Sequence, residues 1–306
     1  MIPTARATML MIVISMMSLQ VAHAQPKTLA GDEIDRITGA KGTLNKDENV
    51  YKVSFPRDDV KVSVDGVKMP PFMGLTSWAA FKPGMKEQAM VMGDIVLFQD
   101  EVNPAMSAAF NAGLSVTALH NHFFYDDPKV YFMHIGGEGA TEKLAGGVRK
   151  VLDRVKEVRS ASSEIAKSFG HQPLPEKSAL TAEPLATVIG QKATEKDGMV
   201  KFTIGRTTKM PCECEVGKEM GVNTWAAFYG TDDHAIVDGD FVTFENELQP
   251  VLKSLRSSGI NVVAIHNHME GESPKAIFLH YWGVGPAQKL AQGVKSALDA
   301  QKPPPG

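Results

Sequence analysis

The chain has 306 residues, of which 43% are hydrophobic and 22% charged, with a formal net charge of −3. That is enough apolar material for a sizeable core and enough length for two domains. The charge balance excludes a generally basic surface, and no Lys/Arg run interleaved with aromatics occurs, so nucleic acid is not an expected partner.

The first 24 residues read as an export signal. Arg6 supplies the positive region, Met9 to Leu19 is apolar, and Ala22-His23-Ala24 is an A-x-A cleavage site. An apolar run of about 11 residues is too short to span a bilayer, and no later stretch approaches the ~18 a membrane span needs. A periplasmic or secreted protein without a stable membrane span is expected. No cysteine lies near the cleavage point to carry a lipid.

The rest of the chain is a tandem duplication. Ser77-Trp78-Ala79-Ala80-Phe81 recurs as Thr224-Trp225-Ala226-Ala227-Phe228, and Gly93-Asp94 as Gly239-Asp240. Glu101-Val102-Asn103-Pro104 recurs as Glu247-Leu248-Gln249-Pro250, and Lys143-Leu144-Ala145 as Lys289-Leu290-Ala291. The offset changes from 147 to 146 between Phe81 and Gly93, which marks a turn. This organisation predicts repeat domains over 28–168 and 176–301, joined by the Pro-containing linker Phe169 to Pro175.

Each copy predicts the same elements. A short opening helix is capped by Asp32 and stops at Gly39; its counterpart is capped by Ser178 and stops at Gly190. Strands follow at Tyr51 to Phe55 and Val200 to Ile204, at each Trp-Ala-Ala-Phe segment, and at Ile95 to Phe98 and Phe241 to Phe244. Helices with apolar residues at helical spacing start near Val102 and Leu248 and stop at Gly113 and Gly259. Two strands bearing histidines come next, and an amphipathic helix closes each copy. The order argues α+β: two homologous α/β-sandwich-like domains with mixed or antiparallel sheets.

The most distinctive feature is His120-Asn121-His122 with His134, repeated as His266-Asn267-His268 with His280 at a constant offset of 146. Alternation puts His120 and His122 on one strand face. A hairpin folded about Asp127 sets His134 opposite His120, so that three imidazoles can meet one ion at Zn–N distances of about 2.0–2.1 Å. A divalent metal, zinc first, is the expected cofactor. As a fourth ligand or general base, the acids present in both copies are Asp94 and Asp240, which follow glycine at an expected turn, and Glu101 and Glu247, which also suit a first helical turn by their charge. A metal with an open position can activate water or polarise a carbonyl, so hydrolase or lyase chemistry on a small molecule or cell-envelope component would follow. The competing expectation is a non-catalytic ligand- or envelope-binding module with structural histidines. The contiguous His-Asn-His is not the HNH nuclease motif, whose letters are spread over a ββα unit.

Other features carry weaker signals. Trp78 and Trp225 are expected in the core, with a pocket wall as the alternative. Gly136-Gly137-Glu138-Gly139 and Gly283-Val284-Gly285-Pro286 are expected as tight turns into a helix, with an anion held on free N–H groups as the alternative. Cys212 and Cys214 are too few for a disulfide framework; on a strand their sulfurs would share a face, suiting a soft metal or a strained disulfide.

The segments Gly-Asp, Glu-x-x-Pro, Ala-Leu/Ile-His-Asn-His, Phe-x-His-x-(Trp)-Gly and Lys-Leu-Ala resemble the family named after the mycobacterial lipoproteins LppY and LpqO, over nearly the whole mature chain as two copies. The resemblance implies a domain of unknown function. Copy two matches better, with His280-Tyr281-Trp282-Gly283 against His134-Ile135-Gly136-Gly137. At motif level, the His-x-His strand with a further histidine on the next strand is similar to the zinc site of acetolactate decarboxylase.

Overall fold

A computed structural model describes residues 29–301. The expected export signal at 1–24 lies outside the described residues. Twelve strands and six helices form the frame. The first copy holds helices α1 (Gly31–Thr38), α2 (Val102–Asn111) and α3 (Thr141–Ala161). Its strands are β1 (Thr43–Asn45), β2 (Val50–Pro56), β3 (Thr76–Pro83), β4 (Ala89–Phe98), β5 (Ser115–His120) and β6 (Val130–Gly139). The second copy holds strands β7 (Thr194–Lys196), β8 (Met199–Gly205), β9 (Asn223–Gly230), β10 (Ala235–Phe244), β11 (Asn261–His266) and β12 (Ala276–Gly285). Its helices are α4 (Ala182–Ile189), α5 (Leu248–Ser257) and α6 (Ala287–Asp299).

All twelve strands belong to one sheet, ordered β1-β2-β3-β4-β6-β5-β11-β12-β10-β9-β8-β7. The pairings are antiparallel throughout. The α+β class and the tandem arrangement therefore hold, with the addition that the copies share a sheet. The junction is a single ladder pair, Leu119 with Ile265, which are equivalent residues of the two copies. The copies are thus related by a local two-fold axis through β5 and β11.

Period-2 alternation decides which face each side chain meets. Val91, Ile95 and Leu97 of β4 and Met133 and Ile135 of β6 enter the main core beneath the helices, with Met106 and Ala109 of α2 and Leu144, Val148 and Val151 of α3. The opposite face carries Val96, Phe98, Val130 and Phe132 in copy one, covered in part by the hairpin Val62–Val64/Val67–Met69. In copy two Val242, Phe244 and Phe278 take those places, beside the pair Thr208–Lys209/Glu215–Val216. These cover segments were not expected.

A bulge disturbs each histidine hairpin. The register between β5 and β6 slips between Val116 and Ala118, and between β11 and β12 it slips between Val262 and Ala264. The slip frees the amide and carbonyl of Val116 and of Val262, and the other copy satisfies them. Asn103 of α2 donates through Nδ2 to the Val262 carbonyl at 3.1 Å and accepts from the Val262 N–H at 2.8 Å. Gln249 of α5 does the same for Val116, at 2.7 and 3.0 Å. The second variable position of each Glu-x-x-Pro segment is therefore an amide clamp across the seam. Buried backbone groups left unpaired would cost about 1–3 kcal/mol each.

Several boundaries differ from expectation. Asp32 lies inside the first turn of α1, which starts at Gly31, and no side chain caps it. The helix expected after Ser178 starts at Ala182, because the Ser178 hydroxyl is used in tertiary packing, donating to the Gly198 carbonyl at 2.7 Å and accepting from the Gly230 N–H at 3.1 Å. Cys212 and Cys214 sit in a turn rather than on a strand and form a disulfide. No helix among the described residues is long and apolar enough to cross a membrane.

Candidate metal centre

The largest departure from the sequence expectation concerns Gly93-Asp94 and Gly239-Asp240. They are not turn residues but lie in the middle of β4 and β10. The glycine is required by close approach: a Cβ on Gly239 would lie 2.3 Å from the Tyr281 ring and 2.4 Å from the Trp225 carbonyl oxygen. At Gly93 it would lie 2.8 Å from the Trp78 carbonyl oxygen. The aspartate that follows faces the other way, toward the histidines. Asp94 stands directly opposite His134 and Asp240 opposite His280.

His134 in turn pairs with Ala118, and His120 with Phe132. The hairpin is therefore centred on Asp126 rather than Asp127, and His120 and His134 meet diagonally. Asp126 is buried, and its carboxylate accepts from the Val130 N–H at 2.7 Å and the Lys129 ammonium at 2.8 Å. Glu272 occupies the matching pivot of copy two and accepts from the Ala276 N–H at 3.0 Å. These local carboxylate turns explain the register, since each closes the loop on its own backbone.

His122 and His268 fall beyond the strand ends, so strand alternation does not place them. An aromatic floor does. The His122 ring stacks on Phe132 with 3.3 Å between centroids, and His268 on Phe278 with 3.5 Å. The Phe-x-His spacing contained this signal, because Phe132 and His134 share a face.

In each triad the ring of the first histidine neighbours both of the others. His120 lies with its centroid 5.1 Å from both His122 and His134; His266 lies 5.0 Å from His268 and 4.8 Å from His280. Nε2 of His120 is 3.0 Å from Nε2 of His134, and Nε2 of His266 is 3.1 Å from Nε2 of His268. Two nitrogens on one tetrahedral zinc would stand about 3.3 Å apart. His280 directs Nδ1 at the Gly239 carbonyl at 3.4 Å, and His120 directs Nδ1 at the Asn121 carbonyl at 3.4 Å. Donation from Nδ1 leaves Nε2 as the ligand atom.

Among the described residues, Asp240, His266 and His268 form a group whose ligand atoms all lie within 4.8 Å of one another, so it could hold a metal ion. Asp240 Oδ2 is 3.5 Å from His268 Nε2, while its Oδ1 is buried without a hydrogen-bond partner. Asp94 Oδ1 is orphaned in the same way. Burial raises the Asp240 pKa although His280, His268 and His266 all pull it down. Burial also lowers the His266 pKa against the pull of Asp240, and burial with the neighbouring His120 lowers that of His122. These imidazoles are therefore neutral, the ligating form, at pH 7.

Glu101 and Glu247 do not join this group. Glu101 is fully buried, takes Arg57 Nη1 at 2.8 Å and Arg159 Nε at 2.7 Å, and accepts from the Phe98 N–H at 2.9 Å. Glu247 is held by Arg206 and accepts from the Phe244 N–H at 2.9 Å. Trp78 and Trp225 are half-buried on the histidine face, beside Asp94 and Asp240 and under the ammonium groups of Lys52 and Lys201, rather than in the core.

A family model described as Domain of Unknown Function (DUF1259) matches residues 32–154 and again residues 183–300. No curated protein matches the chain. A solved structure, the trimeric bacterial microcompartment shell protein PduB, aligns over 85% of this chain and 89% of its own at 10% identity. Its TM-score of 0.23 is too low to carry an argument.

Proposed function

The chain belongs to the DUF1259 family, in two copies, and from that premise we propose that it is a divalent-metal protein. His266, His268, His280 and Asp240 hold the ion in copy two, and His120, His122, His134 and Asp94 hold it in copy one, with zinc the metal that suits this nitrogen and oxygen set. The observation that carries the proposal is Asp240, whose buried Oδ1 has no partner, grouped with His266 and His268 so that their ligand atoms could share one ion. An uncompensated charge in that position is costly, and a cation removes the cost.

When bound, the metal would supply Lewis acidity for hydrolase or lyase chemistry on a small molecule or cell-envelope component. Phe132 and Phe278 would orient the loop histidines, and the exposed edges of His122 and His268 would leave the open side to solvent. Export to the periplasm or beyond, and the closer kinship with LppY and LpqO, belong to the same proposal and rest on residues 1–24 and the shared segments.

The test is metal content of purified, untagged protein by mass spectrometry. About one or two equivalents per chain are expected. His266→Ala/His268→Ala should empty copy two, and adding His120→Ala/His122→Ala should empty the chain. Undiminished metal in the fourfold variant overturns the proposal.

A further inference from the structure

A cavity of about 800 Å3 opens at the seam between the copies. Its wall is largely apolar, with Val102 and Tyr131 from the first copy and Val263 and Trp282 from the second, and it reaches His280. Arg256 of α5 also lines it. The Arg256 guanidinium donates from Nε to the Ser107 hydroxyl at 3.1 Å, and from Nη1 to the Ile260 carbonyl at 2.9 Å and Asn261 Oδ1 at 2.8 Å. All three acceptors are neutral, and Nη2 has no acceptor among the described residues.

Other half-buried or buried arginines are treated differently. Arg57, Arg159 and Arg206 each face a glutamate. Among the described residues no Asp or Glu pairs with Arg256, and burial alone pushes its pKa down to about 10. A desolvated guanidinium without a counter-charge is unfavourable, and a bound anion would supply that charge. Of the acids lining the cavity, Asp100 is already paired with Arg159, and Asp238 is exposed at the rim. Lys167, just before the linker, adds a cationic side chain to the lining.

The duplication provides an independent control. At the offset of 146, Arg256 corresponds to Phe110 and Trp282 to Gly136. Phe110 is packed into the core. Two positions at which the copies diverged thus converge on one cavity, and copy one lacks both of its distinguishing side chains.

We propose that this cavity binds a small organic oxyanion, a carboxylate or phosphate monoester on an apolar body, with the oxyanion on Nη2 of Arg256 and the body against Trp282. The proposal goes beyond the metal sites and does not require them.

Isothermal titration calorimetry of the purified full chain tests it, with benzoate and phenyl phosphate as probes and benzyl alcohol as the uncharged body. At least one anion should saturate a single site per chain, and benzyl alcohol should not. Arg256→Gln should weaken binding about tenfold or more, the loss of a charge-assisted hydrogen bond. Trp282→Gly, which installs the residue of copy one, should also weaken it; circular dichroism checks both folds, so either variant suffices if the other unfolds. Retained binding in His266→Ala/His268→Ala separates this site from the metal reading. The proposal is overturned if neither anion saturates, if benzyl alcohol binds equally well, or if binding follows the histidines and ignores Arg256.

Discussion

Replacing Asp240 by asparagine should strengthen the metal-free protein and weaken its hold on a divalent ion, two effects of opposite sign from one atom. The side chain is only 8% exposed, and one carboxylate oxygen has no partner. Burial raises its pKa above the ordinary value in spite of three nearby imidazoles. An acid whose folded pKa exceeds its unfolded one costs stability when ionised. The cost is absent below the unfolded pKa of about 3.9, grows as pH rises toward the folded pKa, and is complete above it. Asparagine keeps the shape without the charge, so the variant should gain on the order of 1 kcal/mol at neutral pH and nothing near pH 3. With an ion present, even unit charges about 4 Å apart at an effective dielectric of about 20 attract by about 4 kcal/mol, so zinc affinity should fall by at least about three decades. Urea denaturation of chelator-treated protein at the two pH values measures the first effect, and zinc titration against a competing chelator measures the second. A variant that is less stable without metal at neutral pH, yet binds zinc as tightly as the parent, would refute the reasoning.

Three further outcomes follow from packing. Glu101→Gln leaves Arg57 with Asp59 and Arg159 with Asp100 as their remaining counter-charges, and should cost about 1.5–3 kcal/mol in chemical denaturation. Asn103→Ala unpairs the amide and carbonyl of Val262 across the seam and should cost about 2–4 kcal/mol, with faster hydrogen exchange in β11; Gln249→Ala should do the same in β5. Gly239→Ala forces a methyl into the Tyr281 ring and the Trp225 carbonyl, and should lower the melting temperature more than Gly93→Ala, where the nearest atom is 2.8 Å away rather than 2.3 Å.

Much of the site was legible because repetition exposed it. The six histidines were visible as two triads at one offset, and Asp94 and Asp240 could be nominated as the acids accompanying them. Their placement was not legible, because glycine followed by aspartate is locally a turn signal. What holds Gly239 in a strand is a ring and a carbonyl from elsewhere in the sheet. The same distinction explains the opening helices: Ser178 looks like a cap but is bonded to backbone 20 and 52 residues away. Glu101 and Glu247 were equally credible as ligands, since nothing in their own segments announces Arg57 and Arg206. The fused sheet was the least accessible feature. One ladder pair between Leu119 and Ile265 leaves no periodic trace.

That junction also bears on ancestry. A chain carrying one copy would expose β5 as an open edge, with Asn103 and the bulged backbone at Val116 awaiting partners. The natural remedy is self-association about a two-fold axis, an isologous dimer in which each subunit repairs the other. Tandem fusion makes that association permanent and removes the need for identical halves. Once the subunits were no longer obliged to match, one side of the axis could carry Phe110 in the core while the other presents Arg256 and Trp282 to the cavity.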